Sequence, residues 1–288
     1  MLTQTVGFEH LAREAVRIMS WARIMAPLSG GSQDAATLAA ALLLAKPFAA
    51  EVVGVYAPAD LADLMPWIGE SFTGAVEATA LDSLKAAAAA GERHARAALE
   101  GCRYDKKRFL ALQSPVWAAL AAESRLCDMV VFTEDAARGR GPLARTFQQM
   151  LGDEQRPVVI ARRGLRIDGC TVVAWDGGKE ASRAVRLATP LLEKAARVVI
   201  LQAQKSGARD VDPTHLQSYF AQRGVKSELL TVKAQGDVGR CLLEAARGAG
   251  ADLLVAGAFG QPRLQEFIFG GTTRTLLAAE GPSLFLSH

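Results

Sequence analysis

Glycine and threonine residues near the end of the chain have the spacing of a phosphate-binding loop. The run from Ala251 to Val255 is mostly apolar and short, as in a buried parallel strand. The residues after it that could approach a phosphate are Ala256, Gly257, Gly260, Arg263, Gly270, Gly271 and Thr272. Glycine frees the backbone from steric limits, and a helix starting at Thr272 would direct its N–H groups and its dipole at an anion. This spacing predicts phosphate binding.

Strands that alternate with helices are predicted along the whole chain. The first set of strands is Arg23–Leu28, Glu51–Tyr56, Arg108–Leu112, Asp128–Phe132 and Pro157–Ala161. The second set includes Thr171–Trp175, Val198–Leu201 and Asp252–Val255. Alternation of this kind is typical of α/β proteins with a doubly wound parallel sheet.

The order of these elements occurs twice. Asp176-Gly177-Gly178 lies 147 positions after Ser29-Gly30-Gly31, and Asp252–Val255 lies 124 positions after Asp128–Val131. Repetition of a whole unit is a strong indication of fold. It predicts two similar halves, with a boundary near Arg163–Gly169.

The composition is that of an ordinary globular protein. The chain has 288 residues, of which 50% are hydrophobic and 22% charged, with a net charge of +3. This charge, without a basic run, argues against nucleic acid as a partner. The four cysteines and four histidines are dispersed, so we expect reduced thiols and no zinc site.

The N-terminal residues are predicted to form an amphipathic helix over residues 1–22. Its apolar residues recur at helical spacing: Phe8, Leu11, Ala12, Ala15, Val16 and Met19. Glu9 and Glu14 interrupt the segment, which argues against a signal peptide. We therefore expect a cytoplasmic protein that does not use a membrane, with this helix packed on the protein or on a partner.

The repeat, the Asp-Gly-Gly turn and the pattern Gly257-x2-Gly260-x9-Gly270 together resemble the universal stress protein family. The family pattern ends in Gly-Ser or Gly-Thr, whereas here Gly271 takes the hydroxyl position and Thr272 follows. The resemblance implies a tandem protein with domains at 23–163 and 170–288, each an adenine nucleotide alpha hydrolase-like sheet of five parallel strands. It also implies a pseudo-two-fold pairing of the last strands, Val158–Ile160 and Leu284–Leu286.

The resemblance places a nucleotide site in the second domain, where the strand order reverses. Asp176 would accept hydrogen bonds from the ribose or adenine, and a backbone group at Ala203 would contact the adenine. The implied ligand is ATP or a related adenine nucleotide, with Mg²⁺ only as its companion. Three structural alternatives stay open: Asp176 caps the next helix, the glycines form turns without a ligand, and Arg263 is merely solvated.

The first half has lost these features. Thr133, Ala136 and Thr146 replace Gly257, Gly260 and Gly270, and Ser29 replaces Asp176. We therefore predict a scaffold domain, although arginines in the loop could still hold an anion: Arg138, Arg140 and Arg145. The stretch Ser29–Asp34 also resembles the Ser-Gly-Gly-x-Asp-Ser loop of ATP pyrophosphatases, with one residue too many and Ala35 where serine is needed.

Three functions follow as alternatives. The first is a stress-response protein that binds nucleotide with little or no turnover, and whose domains pair within the chain and could also form a homodimer. The second is a ligand-free interaction module, suggested by the missing hydroxyl at Gly271. The third is a slow ATPase or an adenylating enzyme. Neither a Ser/His/Asp set nor a carboxylate pair beside the loop is evident, so no catalytic residue is predicted.

Overall fold

A computed structural model describes residues 20–58, 74–113, 116–204, 211–258 and 271–288. The elements of the first half are β1 (Arg23–Leu28), α1 (Asp34–Ala45), a 3₁₀ turn (Lys46–Phe48), β2 (Glu51–Tyr56), α2 (Gly74–Glu100), β3 (Lys107–Ala111), α3 (Val116–Ser124), β4 (Met129–Thr133), α4 (Glu134–Ala137), α5 (Ala144–Gln148), a π-helical turn (Gln149–Asp153) and β5 (Val158–Ala161).

The second half repeats this order. Its elements are β6 (Cys170–Ala174), α6 (Lys179–Leu192), β7 (Arg197–Gln204), α7 (Thr214–Gln222), β8 (Ser227–Lys233), α8 (Val238–Gly248), β9 (Leu253–Gly257), α9 (Gly271–Ala278) and β10 (Ser283–Ser287). The predicted strands agree with these bounds to within a residue or two, except for β7, which extends to Gln204. Helix α9 begins at Gly271, one residue earlier than predicted.

Ten strands of the described chain form one sheet in the order β3-β2-β1-β4-β5-β10-β9-β6-β7-β8. Neighbouring strands are parallel within each half, and β5 pairs antiparallel with β10, with Val159 opposite Phe285. This topology confirms the doubly wound α/β class and the pairing of the last strands. Since the two halves meet antiparallel, their carboxyl edges point in opposite directions.

The core lies on both faces of the sheet because successive residues of a strand point to opposite sides. Ile24 and Phe285 belong to the cluster on one face, and Met25 and Leu284 to the cluster on the other. Each cluster contains residues of both halves. Trp21, just before β1, stacks at 6.5 Å on Phe285 of the second half, so the halves share one continuous core.

The predicted amphipathic helix over residues 1–22 lies outside the described ranges, except for residues 20–22. The proposed domain boundary also stays a prediction, since β5 ends at Ala161 and β6 begins at Cys170 without defining where one domain stops. Among the described residues, no helix is both long and apolar enough to cross a membrane.

Candidate functional site

Three of the predicted site residues lie at the carboxyl edge of the second half, which we define as the strand ends at Asp176, Ala203 and Gly257. Strands β6 and β9 are parallel neighbours, with Val173 opposite Val255. In the sheet, β7 lies on one side of β6 and β9 lies on the other side. This edge is therefore the point of strand-order reversal at which doubly wound folds bind ligands.

Asp176 is exposed at this edge and stabilises its own turn. Its Oδ1 accepts a hydrogen bond of 2.8 Å from the backbone N–H of Gly178. The helix α6 that follows has Gly178 as N-cap, without a side-chain cap. Asp176 is therefore part of a tight turn rather than a cap on the first N–H groups of the helix. The turn needs glycine at position 177, where φ is +73°.

Gly257 serves the packing of α6. A Cβ at this position would lie 2.6 Å from the backbone nitrogen of Ala181 and 2.8 Å from the Cβ of Glu180. Its backbone keeps a strand conformation without positive φ. The prediction that glycine relaxes the backbone is therefore wrong at Gly257: the close approach of a helix explains this residue without any ligand.

The structure describes only some of the remaining residues of the predicted phosphate-binding loop. Ala256 is buried and pairs with Leu286 in β10. Gly271 is exposed at the first position of α9, and a Cβ there would meet no atom within 4 Å. None of the residues that the structure describes around Gly271 therefore demands glycine at this position. Gly260, Arg263 and Gly270 lie outside the described residues, so their roles stay predictions.

Helix α9, whose N-terminus carries Gly271 and half-buried Thr272, is held near its start by Asp237. The Thr275 hydroxyl donates a 2.7 Å hydrogen bond to Asp237 Oδ2, while Oδ1 accepts from Gly239 N at 2.8 Å. The Thr275 hydrogen bond is the largest cause that lowers the pKa of Asp237. An aspartate before a helical run is an ordinary N-cap signal, so the sequence could have identified it.

The other end of α9 is held by Arg162, which follows β5 of the first half. Its guanidinium is buried and donates to the carbonyls of Leu276 at 2.8 Å and Pro282 at 3.0 Å. Its Nε lies 2.9 Å from a Glu134 carboxylate oxygen. Burial lowers the pKa of Arg162, Glu134 raises it, and the positive charges of Arg138 and Arg247 lower it. No sequence pattern distinguishes Arg162 from a surface arginine.

Glu180 adds a second carboxylate to the carboxyl edge of the second half. It is the second residue of α6, it is 8% exposed and it lies against Gly257; its ion pair with Lys179 measures 3.5 Å. Carboxylates are suitable ligands for Mg²⁺. However, no cluster of three or more His, Cys, Asp or Glu residues that could hold a metal occurs among the described residues. Any Mg²⁺ here would need nucleotide phosphates as further ligands.

The equivalent turn of the first half is filled by the protein itself. The carboxylate of Asp34, 2% exposed, accepts from the backbone N–H groups of Ser29 and Gly30, both at 2.8 Å. Gly30 has φ +77°, and an added Cβ there would collide with the backbone of Gly91 in α2. Asp34 therefore stabilises the turn, which accounts for the Ser29–Asp34 motif without pyrophosphatase chemistry.

The first-half counterpart of Ala203 is Tyr56, and its ring fills the position. Tyr56 is 5% exposed and donates a 3.0 Å hydrogen bond to the carbonyl of Ala88 in α2. A Cβ on Gly91 would lie 2.5 Å from the Tyr56 hydroxyl oxygen. Helix α2 thus lies directly over the end of β2. In the second half the equivalent residue is Ala203, which is half-buried and whose methyl group is far smaller than the Tyr56 ring.

The arginine loop of the first half is also internally neutralised. It forms α4 and α5, in which Arg138 pairs with Glu134 at 3.0 Å and Arg140 with Asp135 at 2.7 Å. Arg145 lies 5.0 Å above the ring of Trp117. Arg138 and Arg140 thus already pair with carboxylates of the same loop, and the expectation that this loop could hold an anion stays a prediction.

Comparison with solved structures identifies the fold as that of universal stress proteins. A universal stress protein from Archaeoglobus fulgidus matches with a TM-score of 0.62 and 14% identity, over 93% of this chain and 97% of that chain. A candidate universal stress protein from Pseudomonas aeruginosa matches with a TM-score of 0.54 and 15% identity, over 93% and 94% of the two chains. No protein-family model and no curated protein matches the sequence. The resemblance inferred from the sequence is thus confirmed for the fold.

Proposed function

We propose that the chain is a tandem universal stress protein of the cytoplasm that binds ATP or a related adenine nucleotide in its second half, with little or no turnover. The observation that carries the proposal is the contrast between the two carboxyl edges. In the first half Asp34, Tyr56 and α2 fill the edge. In the second half Asp176 is exposed, and the small side chain of Ala203 stands at the position that the Tyr56 ring takes in the first half.

The residues of the second half would hold the nucleotide as follows. Asp176 retains a carboxylate oxygen, Oδ2, that makes no hydrogen bond within the described chain and could accept from a ribose hydroxyl. The N-terminus of α9 supplies N–H groups and a positive dipole end for a phosphate. Asp237 and Arg162 hold α9 in place through its residues Thr275 and Leu276.

Isothermal titration calorimetry with ATP and Mg²⁺ tests the proposal. We expect saturation at one nucleotide per chain. Asp176→Asn should weaken binding about tenfold, since a lost charged hydrogen bond costs about 1–3 kcal/mol. Ser29→Ala, at the matching position of the first half, is the control and should leave affinity unchanged. Two nucleotides per chain, or no heat at millimolar ATP, would refute the proposal.

A ligand-free interaction module is the second candidate, and Gly257 favours it. The packing of α6 explains this glycine completely, so one element of the signature exists without a nucleotide. Mass spectrometry of small molecules released from the freshly purified, denatured protein separates the two candidates. A stoichiometric adenine nucleotide supports the first candidate. Its absence, together with no binding in calorimetry, supports the second.

A further inference from the structure

A cavity of about 200 Å³ lies between α6 and α7, beside the end of β6. Its walls include Trp175, Val185, Arg186, His215, Leu216 and Tyr219, and we call it the interhelix cavity. Sites for drug-sized ligands typically measure roughly 300–1,000 Å³. A volume of 200 Å³ therefore suits a smaller molecule, such as one with a single ring or a short aliphatic chain.

The inner wall of the interhelix cavity is apolar. Val185 and Leu216 are buried core residues, and Trp175 and Tyr219 contribute half-buried rings. Such a surface offers water few hydrogen bonds, whereas the transfer of an apolar group from water to this surface is favourable in free energy. Among the described residues, the Trp175 indole Nε1 is buried and has no acceptor.

The rim of the interhelix cavity is cationic. Arg186 is exposed and makes neither an ion pair nor a hydrogen bond with any part of the chain that the structure describes. By contrast, Arg183, one turn earlier on α6, donates to the carbonyl of His288 at 3.2 Å. His215 lies at the same rim and is also exposed. An unpaired guanidinium beside an apolar cavity is suited to a carboxylate.

We propose that the interhelix cavity binds a small organic acid with an aromatic or short aliphatic body. Its carboxylate pairs with Arg186 at the rim, and its body lies against Trp175 and Leu216. This cavity lies between α6 and α7 and adjoins the carboxyl edge of the second half, because its lining residue Trp175 directly precedes Asp176. The proposal does not depend on nucleotide binding.

Isothermal titration calorimetry of the full chain with 4-phenylbutyrate tests this site. We expect one saturable event in the wild-type protein. Arg186→Gln should weaken it at least about threefold, the effect of losing an exposed ion pair. Arg183→Gln removes the same charge from the same helix but does not line the cavity, so its affinity should equal that of the wild type. Equal affinities for both variants would overturn the role of Arg186.

Filling the interhelix cavity provides an independent test. Ser182 also lines it and is half-buried, so Ser182→Leu should occupy the space and abolish binding of 4-phenylbutyrate. Circular dichroism establishes whether the variant is folded, and Arg186→Gln keeps the proposal testable if it is not. Binding that persists in folded Ser182→Leu, absence of binding to the wild type, or equal affinity for uncharged 4-phenylbutanol would each refute the proposal.

Discussion

Replacing Gly257 by alanine introduces a methyl group at the end of β9, where α6 begins. The added Cβ would lie 2.6 Å from Ala181 N and 2.7 Å from the carbonyl carbon of Glu180. Ordinary van der Waals contact starts at 3.4 Å, so α6 or β9 must move by roughly 0.8 Å, the difference between the two distances. Both neighbours are backbone atoms that cannot rotate away. Overpacking of this kind costs about 1–3 kcal/mol.

Urea unfolding followed by circular dichroism measures this cost, and Gly271→Ala is the matched control. Gly271 has open space around its Cβ position and no positive φ. Alanine there should stabilise the protein by about 0.4–1 kcal/mol through the unfolded state. The two variants should therefore differ by about 1.4–4 kcal/mol in the free energy of unfolding. If Gly257→Ala proves as stable as Gly271→Ala, the packing explanation of Gly257 is wrong.

Two further predictions concern the contacts that hold α9. Arg162→Met should lower the free energy of unfolding by about 2–4 kcal/mol, because it removes the buried hydrogen bonds of the guanidinium to carbonyls at the end of α9 and its ion pair with Glu134. Exposed Arg166→Met should change it by less than about 0.5 kcal/mol in the same urea titration. Asp237→Asn should destabilise the protein at neutral pH, but progressively less as the pH falls below about 4. The pKa of Asp237 is lowered in the folded protein, so the ionised carboxylate stabilises the fold above the unfolded-state pKa. This stabilisation is lost as the pH falls through the folded-state pKa. The same destabilisation at pH 7 and pH 3 would contradict the role of the Asp237 carboxylate.

Periodicity and repetition were sufficient to predict the fold, because buried parallel strands appear as short apolar runs. The position of Asp176 at a strand end followed from the same signal. The structural reason for Gly257 could not be predicted, because the sequence does not distinguish a glycine required by a ligand from one required by the close packing of a helix. Local sequence patterns also gave no sign of the role of Arg162, because the carbonyl groups to which it donates lie more than a hundred residues away in the sequence. Contacts of this kind depend on how the two halves meet.

The antiparallel pairing of β5 with β10 joins two similar units that belong to one polypeptide. Their association is intramolecular, so dilution cannot separate them as it separates the subunits of a homodimer. In a symmetric homodimer every substitution appears twice, once in each subunit. Here a substitution changes one unit alone. The large ring of Tyr56 therefore stands at the end of β2 in one unit, whereas the equivalent position of the other unit carries only the methyl group of Ala203.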